Sequence, residues 1–177
     1  MQKTITLEVQ KHIKKFFENG EYGLANGKGY VEVARWSELG KLLHLVSRVI
    51  PFTQKIRETS GATLTIAYNL REKAYEIPYE KIPDLTRQLE EIFRRSLINY
   101  VAAAQDVTGS DNYSEFIRKF LRTYDIIPDV DCDWEVLRKI YRDHLERIEK
   151  CNAKRRKVSE IRSIPQKIYA QKVREMA

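Results

Sequence analysis

Residues 61–78, GATLTIAYNLREKAYEIP, decide whether the chain is wholly helical or also contains a sheet. In the first half of this stretch, apolar side chains occupy every second position, at Leu64, Ile66 and Tyr68. The alternation returns at Tyr75 and Ile77 after a polar stretch. A period of two residues is typical of a strand with one buried face, so we predict a β-hairpin here.

A second hairpin is predicted upstream, around Asn26 and Gly27. These two residues separate a segment that contains Tyr22 and Leu24 from the alternating residues 30–33. A type I′ turn needs positive φ at both central residues, and Asn and Gly tolerate it best. The two hairpins together predict a small antiparallel sheet.

Apolar residues at helical spacing predict five helices around this sheet. Their predicted starts are Thr6, Ser37, Pro83, Asn112, and Asp131 or Asp133. The second helix is expected to carry Val49 and Ile50 on its apolar face. Asn112 and Glu115 are expected to form a capping pair at the fourth helix. The predicted fold class is therefore α+β: a small antiparallel sheet from two β-hairpins, covered by helices, with a mainly helical C-terminal half.

The domain organisation follows from length and composition. A chain of 177 residues is long enough for one domain with a substantial core. We predict a single α+β domain over residues 1–149, with a candidate sub-boundary near residues 106–112. Residues 150–177, called the C-terminal arm below, are predicted to form an exposed basic helix and tail. The helical part of the arm is expected to end before Pro165.

The positive charge of the chain is concentrated in the arm. The whole chain contains 32 Lys and Arg against 25 Asp and Glu, which gives a net charge of +7. Nine of the basic residues lie in the arm, with only Glu160 and Glu175 to balance them, so residues 1–149 are neutral. Such an asymmetry is typical of an interaction tail.

The arm provides the predicted nucleic-acid-binding residues. Lys and Arg side chains neutralise backbone phosphates and release counterions, and an aromatic ring can stack on a base. The residues with these properties are Lys150, Lys154, Arg155, Arg156, Lys157, Arg162, Lys167, Tyr169, Lys172 and Arg174. DNA, RNA or an acidic protein surface would satisfy this charge equally well. A solvated helix end explains it too, because cations complement the helix dipole there.

No catalytic, metal or cofactor site is predicted. The chain has no G-x-S-x-G elbow, no zinc-ligand spacing and no Gly-Lys-Ser/Thr phosphate loop. Residues 129–135 alternate acids as a calcium loop does, but Trp134 replaces the turn glycine and Ile140 the closing Glu. The acids are better explained as the start of a helix, where its dipole favours negative charge.

Two alternatives to a nucleic-acid-binding protein stay open. One is a protein–protein adaptor or structural subunit, with an apolar stripe on the third helix and the arm docked on an acidic partner. The other is a metal-dependent nuclease. The predicted order of helix, two strands, helix, two strands and helix resembles the core of LAGLIDADG homing endonucleases, which implies a metal-binding carboxylate at the end of the first helix. In FFENGEY that place is taken by Asn19, so Glu18, Glu21 or the acids Asp129 to Asp133 would have to converge instead.

The chain is expected to act in the cytoplasm without a membrane. No apolar run approaches the roughly 20 residues that cross a bilayer. The first 17 residues, MQKTITLEVQKHIKKFF, lack the pattern of a signal peptide. The two cysteines, Cys132 and Cys151, form no disulfide framework, which fits a reducing compartment.

Overall fold

A computed structural model describes residues 2–19, 29–50, 61–69 and 75–175, with side chains described as far as Arg156. Its strands are β1 (Gln2–Glu8), β2 (Val31–Val33), β3 (Arg48–Val49), β4 (Thr63–Asn69) and β5 (Tyr75–Glu76). Its helices are α1 (Lys11–Asn19), α2 (Glu38–Val46), α3 (Ile82–Thr108), α4 (Tyr113–Thr123) and α5 (Trp134–Glu175), with a 3-10 turn at Tyr79–Lys81. The fold is mixed α+β with a mainly helical C-terminal half, as the sequence predicts.

Strand β4 is the centre of a three-stranded sheet in the order β1-β4-β2. It pairs antiparallel with β1, from Gln2 opposite Asn69 to Glu8 opposite Thr63. It pairs parallel with β2, where Val31 faces Ile66. A separate pair joins β3 and β5 antiparallel. Both faces of β4 carry buried residues, because Ile66 and Ala67 point to opposite sides and neither is exposed.

The strand pairing differs from the two predicted hairpins. Residues 61–78 do form strands, but β4 pairs with β1 and β2, while β5 pairs with β3. In the upstream hairpin, residues 31–33 are a strand as predicted, but their described partner is the parallel strand β4. The turn at Asn26 and Gly27, with Tyr22 and Leu24, lies outside the described residues.

The first predicted helix is correct only from Lys11 onward. Thr6 does not cap a helix but lies in β1, where its hydroxyl is 3.2 Å from that of Thr65. Leu7 and Val9 fit a helical stripe with Ile13, and this spacing concealed the alternation of Ile5 and Leu7 in the strand. Pairing with β4 is a non-local interaction, and it determines the conformation of this segment.

Helix α2 begins as predicted and ends earlier. The Ser37 hydroxyl accepts a hydrogen bond from the Gly40 N–H at 3.0 Å, which confirms it as the cap. The helix stops at Val46, and the hydroxyl of the buried Ser47 donates a hydrogen bond to the Leu43 carbonyl at 2.6 Å. Val49 therefore belongs to β3 and is 61% exposed, so its predicted place on the helix face is wrong.

Helices α3 and α4 pack against α1 through aromatic rings. Phe93 of α3 meets Phe16 of α1 at a centroid distance of 5.3 Å and Phe120 of α4 at 5.8 Å. All three side chains are buried. Each edge-on contact adds about 0.5–1.5 kcal/mol to the stabilisation from burial. This aromatic cluster fixes the three helices relative to one another.

The helix ends of α3 and α4 are made by backbone groups. Pro83 lies in the first turn of α3, as predicted. Gly109 ends α3 with φ of 64° and donates its N–H to the Gln105 carbonyl at 2.8 Å. At α4, the Asn112 side chain makes no capping hydrogen bond, so the predicted capping pair is not formed; the Asn112 carbonyl accepts from the Glu115 N–H instead.

The chain divides into two compact units, residues 1–137 and 138–177. Helix α5 begins in the first unit, and from Arg138 onward it belongs to the second unit. Its backbone continues to Glu175, so the predicted end before Pro165 is wrong. None of the helices in the described ranges is long and apolar enough to cross a membrane.

Candidate nucleic-acid interface

The exposed part of α5 carries the predicted binding residues. Every side chain in residues 146–156 is exposed. Lys150, Lys154, Arg155 and Arg156 lie in this stretch. The remaining predicted residues follow on the same helix, beyond the described side chains: Lys157, Arg162, Lys167, Tyr169, Lys172 and Arg174. The structure thus brings all ten onto one continuous helix.

The helix presents this charge on more than one side. Successive residues turn by about 100°, so Lys154, Arg155 and Arg156 project in three directions. Lys150 and Lys154 are one turn apart and share a face. At 1.5 Å per residue, the distance along the axis from residue 150 to residue 174 is about 36 Å. That length matches roughly ten base pairs of a DNA duplex, which carries a charge every 1.7 Å.

The ion pair within this stretch is weak. Lys150 Nζ lies 3.5 Å from Glu146 Oε2, and both side chains are more than half exposed. An exposed pair at this spacing contributes only about 0.3–0.5 kcal/mol. A phosphate therefore competes easily with Glu146 for the Lys150 ammonium.

The acids of residues 129–133 have structural partners. Asp131 Oδ2 accepts hydrogen bonds from Lys15 Nζ at 2.6 Å and from the Ile127 N–H at 2.8 Å. Asp133 Oδ1 caps α5 by accepting from the backbone N–H groups of Glu135 and Val136. The bonds of Asp131 tie α1 to the loop, and those of Asp133 start α5, so the helix-start interpretation is confirmed for Asp133 but not for Asp131.

The ionisation of Asp131 follows from these contacts. Burial opposes the charged form, but the hydrogen bonds from Lys15 and from the Ile127 N–H outweigh it and hold the pKa below its usual value. The pKa of the adjacent Cys132 thiol is shifted in the opposite direction. Burial, helped by the charges of Asp131, Asp129 and Asp133, raises the pKa of its thiol to about 11. A pKa raised in this way favours the protonated thiol at neutral pH, which is the less nucleophilic form.

The carboxylates required by a nuclease do not form a cluster in the described residues. Within these residues, no group of three or more His, Cys, Asp and Glu side chains is placed to hold a metal ion. The Glu18 carboxylate forms an ion pair on its own helix, with Oε1 3.9 Å from Lys14 Nζ. Asn19 donates its amide N–H to the Tyr124 carbonyl at 3.0 Å and so helps to join α1 to the end of α4. Glu21 lies outside the described residues.

A second cationic surface lies at the start of α2, and the sequence analysis did not predict it. Arg35, Trp36, Lys41, His44 and Leu45 line an open cleft of about 470 Å³, called the Trp36 patch below. Trp36 is 77% exposed and Leu45 is 81% exposed. The signal was present in RWSELGKLLHL: once the cap at Ser37 fixes the helix and Leu39 and Leu43 point inward, the opposite face carries Lys41, His44 and Leu45. Arg35 and Trp36 lie in the turn just before the cap.

A larger cleft of about 1010 Å³ runs beside β1 and the first turns of α3. It contains both signs of charge, including the ion pair between Lys3 Nζ and Glu76 Oε1 at 3.1 Å. Arg87 and Glu90 line its α3 side. Both signs of charge therefore line this cleft, in contrast to the Trp36 patch.

Comparison of the chain with protein families, with curated proteins and with solved structures finds no match.

Proposed function

We propose that this chain is a non-enzymatic nucleic-acid-binding protein whose C-terminal arm binds the phosphate backbone, as a subunit of a nucleoprotein assembly. One observation carries the proposal: residues 146–156 of α5 are all exposed, and the arm that they lead into holds nine basic residues against two acidic ones. A helix with charge on several sides can meet phosphates from more than one direction. The two free cysteines support a cytoplasmic location for this binding.

The adaptor alternative has less support. It depends on an apolar stripe of α3 that is open to a partner. Six apolar residues of α3 are instead buried within the first unit: Leu85, Leu89, Ile92, Phe93, Leu97 and Val101. The predicted stripe of α3 therefore offers an acidic protein little apolar surface.

The test is the salt dependence of binding by the full-length chain. Fluorescence anisotropy measures its affinity for labelled duplex DNA, single-stranded DNA and single-stranded RNA over a salt series. The arm variant Lys154→Gln/Arg155→Gln removes two charges from the described part of the arm. Arg94→Gln/Arg122→Gln is the matched control, because it removes two exposed charges from α3 and α4.

Each phosphate contact that is lost lowers the slope of log K against log salt by about 0.9 on duplex DNA. We expect the arm variant to lose up to about two such increments and the control variant to lose none. Equal losses in the two variants would show that net charge matters rather than the arm. Absence of binding by the unmodified chain at moderate salt would overturn the proposal.

A further inference from the structure

The Trp36 patch is held on a fixed turn. The Ala34 carbonyl accepts hydrogen bonds from the Ser37 N–H at 3.0 Å and from the Ser37 hydroxyl at 2.7 Å. The same hydroxyl accepts from the Gly40 N–H. Gly40 packs directly on this turn, since a Cβ built there would lie 2.1 Å from the Ala34 carbonyl oxygen. Trp36 therefore projects from backbone that is anchored to α2 on both sides.

The patch combines an aromatic plane with cations. The indole of Trp36 and the side chain of Leu45 are mostly exposed, although water is an unfavourable environment for both. Arg35, Lys41 and His44 complete the lining, and no acid among the described residues lines the cleft. The nearby acid on α2, Glu38, forms an ion pair with Arg95 of α3.

These features define the chemistry of the ligand. The cations favour an anion, and the exposed indole favours a flat face that can stack on it. An unpaired nucleotide supplies both, because its base stacks on the ring while its phosphates meet Arg and Lys. In a duplex the base faces are stacked on one another and are not accessible. An acidic peptide would also satisfy the cations, but it covers the indole only where it carries an aromatic ring, whereas every nucleotide supplies a flat base next to a phosphate.

We propose that the Trp36 patch is a stacking site for an unpaired base of single-stranded nucleic acid, with Arg35 and Lys41 binding the flanking phosphates. The site shares its ligand class with the proposed function but is built from residues of the first unit, apart from the arm. It would give the chain a preference for single strands over duplexes, which the arm alone does not provide.

Tryptophan fluorescence tests the stacking directly, because the chain contains only Trp36 and Trp134. In full-length Trp134→Phe, Trp36 is the sole tryptophan. A 12-nucleotide oligo(dT) or oligo(U) should quench its fluorescence to saturation, and a 12-base-pair duplex should quench it far less. In the matched variant Trp36→Phe, the remaining Trp134 should be little affected. Comparing the two oligonucleotides separates DNA from RNA as the source of the base.

Affinity gives the second readout. Trp36→Ala should weaken the binding of single strands by about 5- to 150-fold, the range expected for one stacked base, and leave duplex binding unchanged. Equal weakening for both forms would overturn the proposal. So would Trp36 fluorescence that is quenched by poly-glutamate but not by either oligonucleotide, since the patch would then be a protein-binding site.

The two proposals fail in different ways. If the arm variant binds as tightly as the unmodified chain while Trp36 is still quenched, the arm proposal falls and the stacking site stands. If the arm variant loses affinity and Trp36 is not quenched by either oligonucleotide, the stacking site falls and the arm proposal stands.

Discussion

Helices α3 and α5, with 27 and 42 residues, are the two longest helices in the described parts of the chain, and they are stabilised in different ways. Helix α3 buries an apolar stripe along its length, so its position is fixed by packing. Residues 146–156 of α5 bury no side chain and depend on the helix propensity of Lys, Arg, Glu and Ala and on the pair of Glu146 with Lys150. Packing therefore constrains the sequence of α3, whereas it places no constraint on residues 146–156 of α5.

The largest effect is expected at the centre of the aromatic cluster. Phe93→Ala removes a ring that is 1% exposed and contacts Phe16 and Phe120, so it should lower the free energy of unfolding by about 3–5 kcal/mol. Urea denaturation measures the change. Val107→Ala is the control on the same helix, because Val107 is 87% exposed and should change stability by less than about 0.5 kcal/mol. Similar losses in both variants would break the distinction between packed and exposed positions.

The next effect is expected at Asp131. Its side chain is 6% exposed, and Asp131→Asn would leave the Lys15 ammonium without its ionic partner. We expect a loss of about 1–3 kcal/mol in the free energy of unfolding. Glu115→Gln breaks an exposed pair with Lys119 at 2.8 Å and serves as the control, with no measurable change expected by the same urea titration. A stable Asp131→Asn variant would show that α1 does not need this contact.

Gly40→Ala is expected to destabilise α2 by steric conflict. Its new methyl group would meet the Ala34 carbonyl, a backbone atom that cannot move without shifting the turn. Such overpacking costs about 1–3 kcal/mol. Lys41→Ala, one residue along and exposed, should change stability by less than about 0.5 kcal/mol. If Gly40→Ala is as stable as Lys41→Ala in thermal unfolding, the turn is not held as tightly as described.

Acid should lower the stability of the packed region around His12. Burial lowers the pKa of His12, which contacts the Phe93 ring at 4.9 Å, although the Asp131 backbone and the charges of Glu90 and Asp131 partly oppose this shift. A lowered histidine pKa means that the unfolded chain binds the proton more readily. The contribution of neutral His12 to the free energy of unfolding is therefore fully present above pH 6.5. It is lost as the pH falls below that value, because the unfolded chain then takes up the proton. Urea unfolding at several pH values should show this loss, and His12→Gln should make it smaller. If the free energy of unfolding of the variant depends on pH as steeply as that of the unmodified chain, His12 is not the group responsible.

The smallest effect on stability is expected in the arm. Lys154→Ala/Arg155→Ala should leave the free energy of unfolding within about 0.5 kcal/mol, because neither side chain is buried. Circular dichroism during urea titration measures it. A loss comparable with that of Phe93→Ala would mean that this stretch is packed in solution, and its availability to a ligand would have to be reconsidered.

The sequence predicts the helices far better than the sheet. The stripes of α3 and α4 and the cap of α2 at Ser37 are local patterns, and each is confirmed except at Tyr100, which was expected on the apolar face of α3 and is 39% exposed. The partners of β4 could not be predicted, because they depend on residues far apart in the chain, such as Thr6 and Thr65. The basic arm is visible as a charge run, whereas the Trp36 patch requires knowing which face of α2 is buried.

The pairing of β1 with β4 also has a consequence for how the chain is made. The innermost pair of this ladder is Glu8 opposite Thr63, so pairing cannot begin until a loop of more than 50 residues has been synthesised. At about 5–20 residues per second, β1 spends roughly 3 to 11 seconds in the nascent chain without its partner. One face of the unpaired strand β1 is polar, because it is formed by Gln2, Thr4, Thr6 and Glu8. We expect this face to limit aggregation on the ribosome, as polar side chains do on exposed strand edges.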